Sequence, residues 1–246
     1  MLLRKLVAEA LGTAMLLATV VGSGIMGESL AGGNVAIALL ANTLATGAGL
    51  LALILTFGPI SGAHFNPAVT LADASQRGLA WREVPGYLVA QVAGAFAGVA
   101  VAHVMFKQPA LFFASHHERS GFAQLVSEFV ATFGLLAVIW GCARRRAGLV
   151  PFAVAAYITA AYWFTSSTSF ANPAVTLARA ASDTFAGIRP TDAPGFIIAQ
   201  LAGAASATAL FRWLVPPLDA GAFGAAGLPA AAHRVVDRAA PEGDIS

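Results

Sequence analysis

Asn66-Pro67-Ala68-Val69-Thr70-Leu71-Ala72-Asp73-Ala74 and Asn172-Pro173-Ala174-Val175-Thr176-Leu177-Ala178-Arg179-Ala180 are one phrase written twice, identical at eight of nine positions. Each copy reads as a helix start. Asn is a strong N-cap, and Pro suits the first helical position, where its missing N–H would have no intrahelical acceptor. Polar residues return after about three turns, short of the ~20 residues that a membrane span requires. The phrases therefore predict half-helices over 66–76 and 172–181. Aligned peptide dipoles place roughly half a positive charge at each amino end, beside N–H groups without intrahelical partners. Two such ends meeting at mid-membrane form a small, wet, positively biased constriction.

The surrounding sequence is oily enough to put them there. Of 246 residues, 58% are apolar and 11% charged, with a mean hydropathy of +0.74, against an apolar share of about 45–50% in soluble domains. Six apolar segments of spanning length can be drawn: about 6–26, 35–57, 84–106, 122–142, 149–167 and 194–215. One half-helix lies between the second and third, its copy between the fifth and sixth. Arg4-Lys5 before an apolar run superficially fits a signal peptide, but the run continues to Ile25 and reads as a retained first span. The stretch 216–246, rich in Ala, Gly and Pro, reads as a disordered cytoplasmic tail.

The repeat extends beyond the phrase. Gly86-Tyr87-Leu88-Val89-Ala90-Gln91-Val92-Ala93-Gly94-Ala95 matches Gly195-Phe196-Ile197-Ile198-Ala199-Gln200-Leu201-Ala202-Gly203-Ala204, and Glu9 of the first span answers Glu128 of the fourth. Two halves follow, 1–110 and 111–215, each of three spans and one half-helix. Three is odd, so the second half enters the membrane from the opposite side, an inverted repeat that brings the half-helices together amino end to amino end. With the N-terminus inside, Lys107, Arg119, Arg179 and Arg189 are outside and the other ten of the 14 Lys and Arg residues are cytoplasmic. The positive-inside rule favours that orientation.

Two Asn-Pro-Ala boxes, the Ser61-Gly62-Ala63-His64-Phe65 lead-in, the Ala8-Glu9-Ala10-Leu11-Gly12-Thr13 opening and the paired Ala-Gln-x-Ala-Gly together resemble the aquaporin and aquaglyceroporin channels of the major intrinsic protein family. The resemblance covers roughly residues 6–215. It implies an all-α membrane fold of six transmembrane helices with two re-entrant half-helices. It also implies passive permeation of small uncharged solutes through a pore in each monomer of a homotetramer, in the inner membrane of a bacterial cell. Asn66-Pro67-Ala68 and Asn172-Pro173-Ala174 become the pore centre, the two Asn offering side-chain donors to a permeating oxygen. The family's filter arginine follows the second box, where this chain has Val175. Counting along the family pattern puts the other filter positions at Thr46, Ala160 and Ser169, a ring with neither arginine nor aromatic. That ring implies a wide opening. An apolar residue in place of the arginine also resembles a bacterial branch associated with arsenic-resistance operons, which implies neutral arsenite, methylated arsenicals, glycerol and some water as solutes.

Other residues carry competing readings. Glu9 and Glu128 are intramembrane carboxylates, by default a sign of proton relay. Their symmetric placement instead suggests acceptors for unpaired N–H groups in two broken segments, a structural support. Arg179, one turn beyond Val175, could reach the outer vestibule, but an interfacial snorkel is the simpler reading. His64 reads as a solvated pore-lining residue rather than a gate. His116-His117 are adjacent, not spaced for chelation, and Cys142 is the single cysteine, so neither a metal site nor a cofactor is expected. Dispersed basic residues exclude a nucleic-acid surface and leave lipid as the surrounding partner. No catalytic set suggests an enzyme. The chief alternative is an ion-coupled secondary transporter, which shares inverted repeats and broken helices.

Overall fold

A computed structural model describes residues 2–215 of the chain; the tail read above as cytoplasmic lies outside them. In chain order the elements are α1 (Leu2–Leu30), α2 (Val35–Ser61), α3 (Pro67–Ser75), α4 (Val84–Met105), α5 (Phe122–Ala143), a 3-10 turn (Ala147–Leu149) that leads into α6 (Val150–Phe164), α7 (Pro173–Arg179) and α8 (Ala193–Leu214). Among the described residues there is no strand. Six of these segments are long and apolar enough to cross a membrane, α6 with its leading turn. The chain is a multi-pass membrane protein. The short elements α3 and α7 are the half-helices; α3 ends one residue and α7 two residues earlier than the sequence pattern suggested.

The local starts follow from residue chemistry. Asn34, Asn66 and Asn172 each sit in extended backbone and accept a backbone N–H from the first turn of α2, α3 and α7. Pro67 and Pro173 occupy first helical positions. The lead-ins to the two half-helices bend identically: Ala63 and Phe65 before the first, Ser169 and Ala171 before the second, all with φ between 48° and 50°. Left-handed backbone at non-glycine residues is costly and persists only where surroundings enforce it.

Packing repeats the same symmetry. Helix α1 lies against α4, and α5 against α8, while both half-helices contact α4, α8 and each other. The equivalent glycines Gly94 and Gly203 make these approaches possible. A Cβ on Gly94 would overlap the carbonyl oxygen of Ala10, and one on Gly203 that of Phe129, so the crossing is set by the absence of a side chain. Gly203→Val should therefore push α8 off α5 and lower the melting temperature by more than 5 °C, about the shift that 2–3 kcal/mol of overpacking produces in a domain of this size. Thermal unfolding of detergent-purified protein reads this directly.

One end of the bundle is basic: Lys5 bonds Glu83 at 3.1 Å, and Arg144 bonds Gln76 Oε1 at 3.0 Å and the carbonyls of Phe211 and Val215. At the distal end, buried His103 pins the connecting loops through Leu111 O and Ser182 Oγ, both at 2.8 Å. Large apolar side chains such as Val7, Leu11, Leu44, Val89 and Ile198 face outward, as lipid-facing helices require.

Candidate functional site

The site begins with two buried carboxylates. Glu9 accepts from Ser61 Oγ (2.6 Å), the backbone N–H groups of His64 (3.0 Å) and Phe65 (2.7 Å), and Gln91 Nε2 (2.8 Å). Glu128 accepts the equivalent set: Ser167 Oγ (2.6 Å), the N–H groups of Phe170 and Ala171 (both 2.9 Å), and Gln200 Nε2 (2.6 Å). Each Gln also donates to a half-helix threonine, Thr70 or Thr176. These bonds hold the left-handed lead-ins, whose N–H groups have no acceptor within a helix.

At the centre the two halves are tied to one another. Asn66 Nδ2 donates to Ala171 O and Asn172 Nδ2 to Phe65 O, both at 2.7 Å, while their Oδ1 atoms accept the caps from Ala68 and from Ala174 and Val175. Each amide carries two N–H donors. One is spent across the repeat interface, which leaves a single donor per Asn for the cavity that both residues line. That cavity, about 400 Å³, runs from Asp73, Ala143 and Val150 near the basic end past both boxes to Thr46, Tyr162 and Arg179 near the distal end.

Three of the four positions counted as the filter, Thr46, Ser169 and Val175, are brought together on the cavity wall. Ala160 is not. It is exposed on the outer side of α6, whereas Val154, Ile158 and Tyr162 line the cavity at steps of four residues. A two-residue step from Ile158 turns the side chain by about 200°, away from the lumen. The ring is therefore not free of aromatics. Tyr162 donates from its hydroxyl to Thr46 Oγ1 at 3.3 Å, and Phe170 also reaches the lining. Ser169 Oγ is buried and has no partner among the described residues.

Arg179 differs most from expectation. It is 2% exposed rather than snorkelled, because the loop after α7 folds back and offers Ala186 O to its Nε. Its Cζ lies 3.3 Å from the centre of the Phe170 ring, and among the described residues it has no carboxylate partner. Arg119, expected only to lie on the outer side, stacks over Phe170 at 5.0 Å. It donates to Gly187 O at 2.8 Å and Ser167 O at 3.2 Å. Burial pulls its pKa down to about 10, with Glu128 and Tyr162 opposing, so the guanidinium stays charged at neutral pH. No local pattern marks Arg119, since its partners lie 48 and 68 residues away.

Near the basic end His64 does line the cavity, its Nδ1 bonded to Thr70 Oγ1 at 3.1 Å and its Nε2 3.6 Å from Asp73 Oδ2. Trp140 is buried on the cavity wall and donates to Thr208 at 3.1 Å. His116 bonds Asp183 at 2.9 Å at the distal surface, and no cluster of three or more potential metal ligands occurs among the described residues.

Comparison with known proteins places this geometry. The family model described as major intrinsic protein matches residues 1–161. Aquaglyceroporin AqpS of Rhizobium meliloti (strain 1021) is 57% identical over 216 residues, which covers 88% of this chain and 92% of that protein. Aquaporin NIP1-3 of Oryza sativa subsp. japonica is 36% identical over 180 residues, 71% of this chain and 62% of that protein. Among solved structures, the aquaglyceroporin from Plasmodium falciparum shares the fold with a TM-score of 0.67 at 21% identity, over 88% of this chain and 98% of that one. These relatives do not favour the coupled-transporter alternative. With its mirrored boxes on one lined cavity, the chain belongs to the major intrinsic protein family, as an aquaglyceroporin-type channel and not an enzyme.

Proposed function

We propose that the chain is a passive pore for small neutral hydroxylated solutes: glycerol-sized polyols, arsenite in its uncharged trihydroxy form, methylated arsenicals and some water. The observation that carries this reading is the position after the second box. Val175, with no side-chain donor and little bulk, flanks a cavity whose polar groups there are few: Ser169 Oγ without a partner among the described residues, the Thr46–Tyr162 hydroxyl pair, one free amide donor on each Asn, and Arg179 one turn further along α7. The rest of that wall is apolar, with Val20, Leu50, Ile54 and Ile158. A solute with several hydroxyls on a small neutral frame fits a wall with hydrogen-bonding groups on one side and hydrocarbon on the other. Undissociated arsenite has that shape.

The same reading puts the basic end of the bundle in the cytoplasm of a bacterial cell, with the pore in the inner membrane and four copies assembled as a homotetramer. The ten-to-four division of basic residues supports the orientation.

Purified protein in liposomes tests the solute range. Glycerol and arsenite should equilibrate faster than in protein-free vesicles, down their gradients only and with no response to a proton ionophore. Water flux alone would overturn the reading, and uphill accumulation driven by a proton gradient would replace it with the transporter.

A further inference from the structure

The two nine-residue copies differ at one position, Asp73 in the first and Arg179 in the second. Both side chains line the same cavity, and apart from His64 they are the two ionisable side chains of opposite formal sign in its lining. The inverted repeat sends them to opposite mouths. Asp73 lies beside His64 near the basic end, where Gly78 leaves room for its carboxylate: a Cβ there would overlap Asp73 Oδ1. Arg179 lies at the distal end, stacked on Phe170, and Nε is its one guanidinium nitrogen with a hydrogen-bond partner among the described residues. Between them stand the two helix amino ends, whose dipoles are positive.

We propose that Asp73 and Arg179 are an opposed pair of charge barriers, one at each mouth, that confines this pore to neutral solutes. The proposal rests on the neutral-solute reading above. Arg179 turns back cations, and the helix ends behind it add to that barrier. For anions the profile runs the other way. An anion attracted by Arg179 and the positive centre would find an open route without an acidic group further along. Asp73 supplies that group. Coulomb energies at separations of several ångströms in a site of low effective dielectric are large enough for one fixed charge to decide which ions pass. Valine beside the second box thus widens the ring without removing the cation from the pathway, which moves one turn along α7.

Full-length protein in liposomes separates the two barriers. Potassium and nitrate influx are measured for the parent, Asp73→Asn, Arg179→Gln and Arg179→Lys, each scaled to the folded protein reconstituted, with Asp73→Ser as a second variant should the amide disturb the turn at Gly78. Asp73→Asn should raise nitrate influx about tenfold with potassium unchanged, and Arg179→Gln should raise potassium influx about tenfold. Arg179→Lys should remain as tight as the parent. Equal ion fluxes in parent and folded variants overturn the pair whatever the glycerol flux, as does a Lys variant that leaks like the Gln variant. A parent that passes no glycerol, with variants that leak the predicted ions, overturns the solute reading and leaves the barriers standing.

Discussion

A chain carrying Glu128→Ala is expected to lose its folded state. The substitution removes the acceptor of four donors, two of them the backbone N–H groups of Phe170 and Ala171. Each buried donor left unpaired costs about 1–3 kcal/mol. Four such donors amount to roughly 4–12 kcal/mol, comparable with the whole stability of a domain, before the release of left-handed Ser169 and Ala171 is counted. Glu9→Ala should do the same through the first lead-in. Size-exclusion profiles and yields after detergent extraction check this, and both variants should run as aggregates. Glu128→Gln should fall between parent and Ala, since it retains one acceptor oxygen but turns two donors toward donors. A monodisperse, heat-stable Glu128→Ala protein would mean that the lead-in is held by other contacts.

Val175→Arg has the second large expected effect. Val175 is buried on the wall of the cavity that Thr46 and Tyr162 also line. It also lies one turn before Arg179 on α7, so the new guanidinium would start about 5–6 Å from an existing one, Cβ to Cβ. The added side chain fills the ring, and like charges keep it from folding back along the helix. Glycerol and arsenite permeability should fall at least tenfold, a barrier increase of about 1.4 kcal/mol or more, while water, being smaller, is reduced less. Stopped-flow light scattering on liposomes with parent and variant protein measures all three fluxes. Equal permeation of the larger solutes by both would show that Val175 is not at the narrowest point.

The parts of this architecture readable in the chain were those written twice. The boxes, the Gln91 and Gln200 segments and the two glutamates recur at matched positions, and such recurrence identifies both the half-helices and the inverted arrangement. Residues without a twin were harder. Ala160 was placed by counting from a pattern, and an error of two residues on a helix exchanges lumen for lipid; Ile158 and Tyr162 show the correct stripe by their spacing of four. Arg179 reads as a surface residue until the backbone of Ala186 is known to fold over it. Arg119 depends on carbonyls supplied by two distant loops. Hydropathy reports how much a segment dislikes water, not which loop will shelter a cation.

The crossed amide bonds at the centre also bear on how the protein is made. Asn66 must wait for an acceptor that lies 105 residues later in the chain, a delay of about 5–20 s at ribosomal speeds. During that interval the early half sits in the bilayer with its broken segment unmated, and only the arrival of the late half closes it. A nascent protein stalled between the two would present unpaired polar backbone to lipid, a costly state.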